Sequence, residues 1–226
     1  MRFILLILFI LLSLNAFSFP IPKDNKAVFD ITRKNKIIGT HEIIFIKNGN
    51  EVNLETTIDI EVKILFIPAY KFYHKSTEMW LNDNFIKIDG YTDFEDEREY
   101  FIKGIVTKDD FEGTGMDGDM LLDRNIIPSN LWNVEILQKK ILFDTQKGIT
   151  RSVKVRKLKN EEIIIDNKKI QCKKYSFIAS SHLKDKGPFP EYTLWYDEKN
   201  ELIKYQFTNY KDKKDIIVIR NYQSIN

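Results

Sequence analysis

Between Glu51 and Ile64 the chain alternates without a break. Val52, Leu54, Thr56, Ile58, Ile60, Val62 and Ile64 hold one parity, and Glu51, Asn53, Glu55, Thr57, Asp59, Glu61 and Lys63 hold the other. Side chains on an extended strand point to opposite faces in turn, so this stretch is a long antiparallel strand with one apolar and one wet face. A second strand, Lys36 to Lys47, precedes it across Asn48-Gly49, a preferred two-residue hairpin turn whose central positions take positive φ. Pairing Lys47 with Asn50 sets Phe45 opposite Val52, Ile43 opposite Leu54 and His41 opposite Thr56. Both apolar sets then share a face, which a slip of one residue would undo.

More strands follow at Tyr70–Leu81, Phe85–Phe94 and Arg98–Thr107, separated by the turns Asn82-Asp83-Asn84 and Glu95-Asp96-Glu97. A short run at Phe111 leads into a glycine-rich loop. Later runs at Ile149–Leu158, Glu162–Ile165, Ile170–Ser180, Tyr192–Tyr196, Leu202–Tyr210 and Ile216–Tyr222 also read as strands. A change of apolar parity within 170–180 suggests a bulge. Ser129 to Lys139 is the one helix candidate, with Pro128 before it, Ser129 as N-cap and Leu131, Trp132, Ile136 and Leu137 at helical spacing. The expected fold is therefore all-β with minor α: one large curved antiparallel sheet, a half-barrel or a barrel, with one short helix, forming a single domain over residues 19–226.

Residues 1–18 read as a secretory signal peptide. Arg2 supplies the positive charge, Phe3 to Leu14 the apolar run, and Ala16-Phe17-Ser18 the small-residue cleavage site. That run is shorter than the roughly 20 residues a membrane-spanning helix needs. No cysteine follows the cut, so no lipid anchor is expected. The protein is expected in the periplasm or outside the cell after cleavage near Ser18, with no transmembrane segment. The sequence counts 35 Lys and Arg against 33 Asp and Glu, a formal net charge of +2. Such a balance offers nucleic acid no electrostatic footing. Cys172 stands alone, so no internal disulfide can form, and it reads as a small buried apolar residue.

No motif for a cofactor, a metal or catalysis stands out. His41 shares its face with Ile37, Ile43 and Phe45, and its predicted neighbour Thr56 would be a hydrogen-bond partner. His74, Glu78 and Trp80 share one parity with Phe72 and Ser76. His74 and Glu78 are about 13 Å apart along a strand rising roughly 3.3 Å per residue, too far to touch but able to line one cleft. His182 follows Ser180 and Ser181, but neighbours on an extended chain face opposite ways, so this is a loop histidine and not half of a catalytic pair. Acids from Asp109 to Asp123 among three glycines could bind calcium, though Leu121 breaks the spacing of a calcium-hand loop. Trp80, Trp132 and Trp195 read mostly as core. Aromatic residues make up 13% of the chain, a surplus that could line a cavity at a barrel mouth.

Ile38-Gly39-Thr40-His41 with Phe45, Glu78-Met79-Trp80, Pro128-Ser129 with Trp132-Asn133, Asp144 with Gly148, and Leu194-Trp195-Tyr196-Asp197 occur in this order along the chain. Together they resemble an uncharacterised bacterial secreted family described as a domain of unknown function, DUF6134. The resemblance implies no activity. The strand-rich second half is also similar, more distantly, to periplasmic lipoprotein carriers that hold acyl chains in a curved sheet. These readings favour a non-enzymatic periplasmic binding or carrier protein for an apolar small molecule such as a lipid. His41, His74, Glu78, Trp80, Trp132 and Trp195 are its candidate ligand-binding residues. Two alternatives are a cell-envelope hydrolase using His41 or His74 with Glu78, and a structural or adaptor component working through exposed strand edges.

Overall fold

A computed structural model of the protein describes residues 20–64, 67–94 and 98–225. The expected signal peptide and the turn Glu95-Asp96-Glu97 lie outside the described residues. Fifteen strands follow in chain order: β1 (Lys26–Arg33), β2 (Lys36–Asn48), β3 (Glu51–Ile64), β4 (Ile67–Leu81), β5 (Asn84–Phe94), β6 (Arg98–Val106), β7 (Asp110–Gly115), β8 (Gly118–Asp123), β9 (Ile141–Asp144), β10 (Ile149–Lys157), β11 (Glu161–Ile165), β12 (Lys168–Ala179), β13 (Tyr192–Tyr196), β14 (Leu202–Thr208) and β15 (Asp215–Arg220). They form one sheet in the order β8-β7-β6-β5-β4-β3-β2-β1-β15-β14-β13-β12-β10-β9, with β11 attached to β12. The ladders between named strands are antiparallel. Among the described residues no helix is long and apolar enough to cross a membrane.

The sheet is not closed by a ladder between β8 and β9, but it rolls up far enough for its ends to meet. Met116 N donates to Lys147 O at 2.7 Å, and the Phe111 and Phe143 rings lie 5.0 Å apart. The contact is possible because Gly115 and Gly148 face each other: a Cβ on Gly148 would sit 2.6 Å from the Gly115 Cα.

The β2–β3 register differs by two residues from the one expected. Asn48 pairs with Glu51, Lys47 with Val52, Phe45 with Leu54 and His41 with Ile58. Gly49 and Asn50 form the turn, and of the two only Gly49 has positive φ, at 60°. That is the pattern of a type II′ turn, with glycine first. A shift by two keeps every side chain on its face, so Phe45, Val52 and Leu54 are all buried on the inner side.

Three other expectations change. The glycine-rich loop after Phe111 is a hairpin, β7–β8. The helix over Ser129–Lys139 shrinks to a 3-10 turn, Val134–Gln138, capped by Asn133. Ile127 and Ser129 are held extended beside β9, through Phe143 N to Ile127 O at 3.0 Å and Ser129 N to Phe143 O at 2.8 Å, so no helix can begin at Ser129. No bulge is needed in β12. Ile170 and Cys172 pack on its outer face with Ile163, Trp195 and Ile203, while Phe177 and Ala179 pack on its inner face, so the apolar parity changes because the buried face changes.

Candidate functional site

Cross-strand rows on the inner face order the interior. His41, Ile58, His74 and Thr92 form one row across β2 to β5, and Ile43, Thr56, Ser76 and Gly90 form the next. Beyond them, Phe45, Leu54, Glu78 and Ile88 lead to Val52, Trp80 and Phe85. The side chains at this end are buried. The segment between β8 and β9 crosses it and inserts Trp132 edge-on against Phe45 and Trp80, with centroids at 5.5 and 5.7 Å. Tyr196 Oη donates to Leu131 O at 2.6 Å, and Asn130 Nδ2 donates to Glu78, fixing the plug from two sides.

The titratable groups in these rows are sealed. His41 pairs through Nδ1 with Tyr205 Oη at 3.1 Å, replacing the expected Thr56. Its pKa is lowered to about 3, first by burial and then by His74. His74 Nδ1 meets Thr92 Oγ1 at 2.8 Å. Burial lowers its pKa to about 4, against a weaker upward pull from Asp144 and the Tyr91 carbonyl. Both rings are therefore neutral near pH 7. Glu78 is 2% exposed. Burial raises its pKa to about 7, although Trp80 and Asn130 donate to it. A polar belt of this kind divides the interior, and His41, Thr56, His74, Ser76 and Thr92 in it are buried.

On the other side of the belt the roll is open. A cavity of about 340 Å³ lies there, toward the low end of the roughly 300–1,000 Å³ typical of small-molecule pockets. Ile31, Ile58, Ile60, Phe72, Tyr192 and Phe207 form much of its wall. The loop between β12 and β13 crosses its mouth with Gly187, Pro188, Phe189 and Pro190. A compact ion network stands at the rim. Arg151 Nε donates to Asp144 Oδ2 at 2.6 Å and Nη1 to Asp185 Oδ2 at 3.0 Å, while Lys147 also pairs with Asp185. The Arg151 guanidinium lies 4.3 Å from the Phe189 ring centroid.

The sequence pattern of the domain of unknown function DUF6134 matches residues 29–218, most of the chain. The chain belongs to this family. Among solved structures it is similar to a β-barrel-like protein of the domain of unknown function DUF1849 from Brucella abortus. That likeness has a TM-score of 0.61 at 11% identity and covers 87% of this chain and 95% of that one. A protein with YmcC-like fold from Bacteroides fragilis matches with a TM-score of 0.43 at 10% identity, over 89% and 96% of the two chains. No curated protein matches. At such identities the first likeness supports the curved-sheet fold and nothing finer.

Of the six residues singled out in the sequence, five face the inner side and none of the six lines the cavity. Trp80 and Trp132 belong to the packed end. His41 comes nearest, one hydrogen bond behind the wall residue Tyr205. Trp195 departs from the other five. Adjacent to the inward Leu194, it packs on the outer face with Ile163, Ile165, Cys172 and Ile203. His182 is held in its loop by Asp117, Nε2 to Oδ2 at 3.0 Å. Among the described residues no group of three or more His, Cys, Asp or Glu side chains is placed to hold a metal ion. The cavity wall escaped sequence reasoning because its residues come from distant strands. The apolar parity of each strand was the available signal, but it did not say which end of the roll would stay open.

Proposed function

We propose that this is an exported, non-enzymatic binding or carrier protein for an apolar ligand such as a lipid, held at the open end of the rolled sheet. One observation carries the reading: an accessible cavity walled by Ile31, Ile58, Ile60, Phe72 and Phe207 inside the rolled sheet. Apolar walls of this size favour transfer of hydrocarbon from water at about 25 cal/mol per Å² buried. His41 contributes by holding the wall residue Tyr205, while Glu78, Trp80 and Trp132 keep the far end filled so that the ligand stays near the mouth. In this proposal residues 1–18 serve as the export signal and residues 19–226 form one domain.

The test is uptake of the neutral fluorophore N-phenyl-1-naphthylamine by purified protein, wild type against Ile60→Arg. Saturable fluorescence enhancement in the wild type, lost in a variant with unchanged circular dichroism, is the expected result. No saturable enhancement in the wild type, or equal enhancement in the variant, overturns the assignment.

A further inference from the structure

The cavity is apolar along its walls, yet its rim carries two buried cations. The Lys147 and Arg151 side chains are 10% and 2% exposed, and Asp144 and Asp185 are each 6% exposed. The two carboxylates are held differently. Asp144 ends β9 and is built into the next turn, where its Oδ1 accepts from Gln146 N at 2.8 Å and its carbonyl accepts from Gly148 N at 2.8 Å. Asp185 comes from the loop spanning the mouth between β12 and β13. Its carboxylate accepts from Arg151 Nη1 and Nη2 at 3.0 and 3.3 Å, from Lys147 Nζ, and from His182 N at 2.8 Å.

Asp185 is thus an anion presented by a strap to two cations that line the cavity. Without it, Arg151 keeps Asp144 while Lys147 loses its carboxylate partner, leaving one positive charge beside an apolar chamber. An unpaired buried charge is costly, so the vacated position has to be filled by another anion. Burial alone would raise the Asp185 pKa, but the hydrogen bonds from Arg151 and Lys147 outweigh it and hold the group well below the usual carboxylate range. The strap has further moorings that do not depend on this carboxylate. Tyr210 Oη donates to Lys186 O at 3.0 Å, Phe189 N donates to Ser181 Oγ at 2.8 Å, and Lys184 Nζ pairs with Asp117 at 2.6 Å.

We propose that Lys147 and Arg151 form the head-group site for a single-chain amphiphile with an anionic head, and that Asp185 is a resident stand-in which that head displaces as the acyl chain enters. The proposal rests on the apolar-cavity reading and gives it a substrate class. A cavity of about 340 Å³ suits one chain better than a lipid with several. The strap supplies the release step: when the ligand leaves, Asp185 returns to the cations, so neither state leaves them bare.

The experiment is displacement of bound N-phenyl-1-naphthylamine by dodecanoate, dodecyl phosphate and dodecan-1-ol, which share one chain and differ in the head. In the wild type at pH 8 both anions should displace the probe at about tenfold lower concentration than the alcohol, as expected for a charge-assisted hydrogen bond. Lys147→Met should erase that preference and leave the alcohol unchanged. Asp185→Asn should strengthen the anions severalfold, because no internal competitor remains. The ratio between the two anions assigns a carboxylate or a phosphate head. Equal displacement by all three in the wild type, a preference that survives Lys147→Met, or weaker anion binding in Asp185→Asn each overturns the head-group site while the cavity reading stands. If the fluorophore does not bind, both fall.

Discussion

Glu78 Oε2 accepts a hydrogen bond from the indole Nε1 of Trp80 at 2.8 Å, two residues along the same inward face of β4. The carboxyl is buried and its pKa stands at about 7 against an ordinary 4.5. Below pH 4.5 the group is protonated in both folded and unfolded chains and contributes no pH dependence. As the pH rises from 4.5 through 7 the unfolded chain ionises first, so stability falls, and above 7 the loss is constant. At about 1.4 kcal/mol per pKa unit the loss is on the order of 3 kcal/mol. Glu78→Gln does not titrate. Urea midpoints at pH 4.5 and 7.5 should show the variant gaining about 2–3 kcal/mol on the wild type over that interval, and parallel curves would contradict the assignment.

The two inner histidines act in the opposite direction. Their folded pKa values, about 3 for His41 and about 4 for His74, lie below the ordinary 6.5. Stability from keeping them neutral is complete above pH 6.5 and is lost as the pH falls toward those values, at about 1.4 kcal/mol per pH unit for each ring. His41→Gln keeps a polar partner for Tyr205 and removes one of these titrations. Its acid unfolding, followed by fluorescence of the buried Trp80 and Trp132, should begin at lower pH than in the wild type.

Gly148 and Gly49 both have positive φ, at 63° and 60°, but only one is crowded. A Cβ on Gly148 would meet the Gly115 Cα at 2.6 Å and Thr114 O at 3.0 Å, whereas one on Gly49 meets nothing within 4 Å. Gly49→Ala should cost about 1 kcal/mol for its backbone conformation alone. Gly148→Ala should cost well over 2 kcal/mol, because it also pries apart the meeting ends of the sheet. Chemical denaturation of the two variants side by side reads the difference directly.

Cys172 is 1% exposed on the outer face of β12, and burial pushes its thiol up to about 11. The reactive thiolate is therefore scarce in the folded protein at pH 8. A thiol-specific chromogenic disulfide should label the native chain far more slowly than the urea-unfolded chain, by at least a hundredfold. Prompt labelling without denaturant would mean that Ile163, Trp195 and Ile203 do not bury this thiol.

The strands were legible where alternation was long, as in β3, because period-two burial leaves little choice of structure. The hairpin register was not, since Asn48-Gly49-Asn50 offers two overlapping turns whose registers differ by two residues and leave every face unchanged. Glycine misled at β7. A Cβ on Gly113 would lie 2.8 Å from the Phe111 ring, so that glycine makes room for an aromatic ring rather than marking a loop. The ion network of Asp144, Arg151 and Asp185 joins β9, β10 and the loop after β12, a meeting that only the rolled sheet creates. β1, too short to show a long alternation, is central, with β2 on one side and β15 on the other.

That last pairing has a consequence for how the chain matures. Among the described residues the first strand and the last lie side by side in mid-sheet, fastened by Arg220 Nη2 to Lys26 O at 2.7 Å and Asn221 N to Val28 O at 2.8 Å. A polypeptide emerging from its N-terminus can assemble β1 through β8 as successive neighbours, yet β1 keeps a bare edge until residue 220 arrives. Closure across nearly the whole length of the chain comes late, because contacts between distant residues form slowly. Until then an unfinished molecule offers its central strand to any passing partner, including another copy of itself.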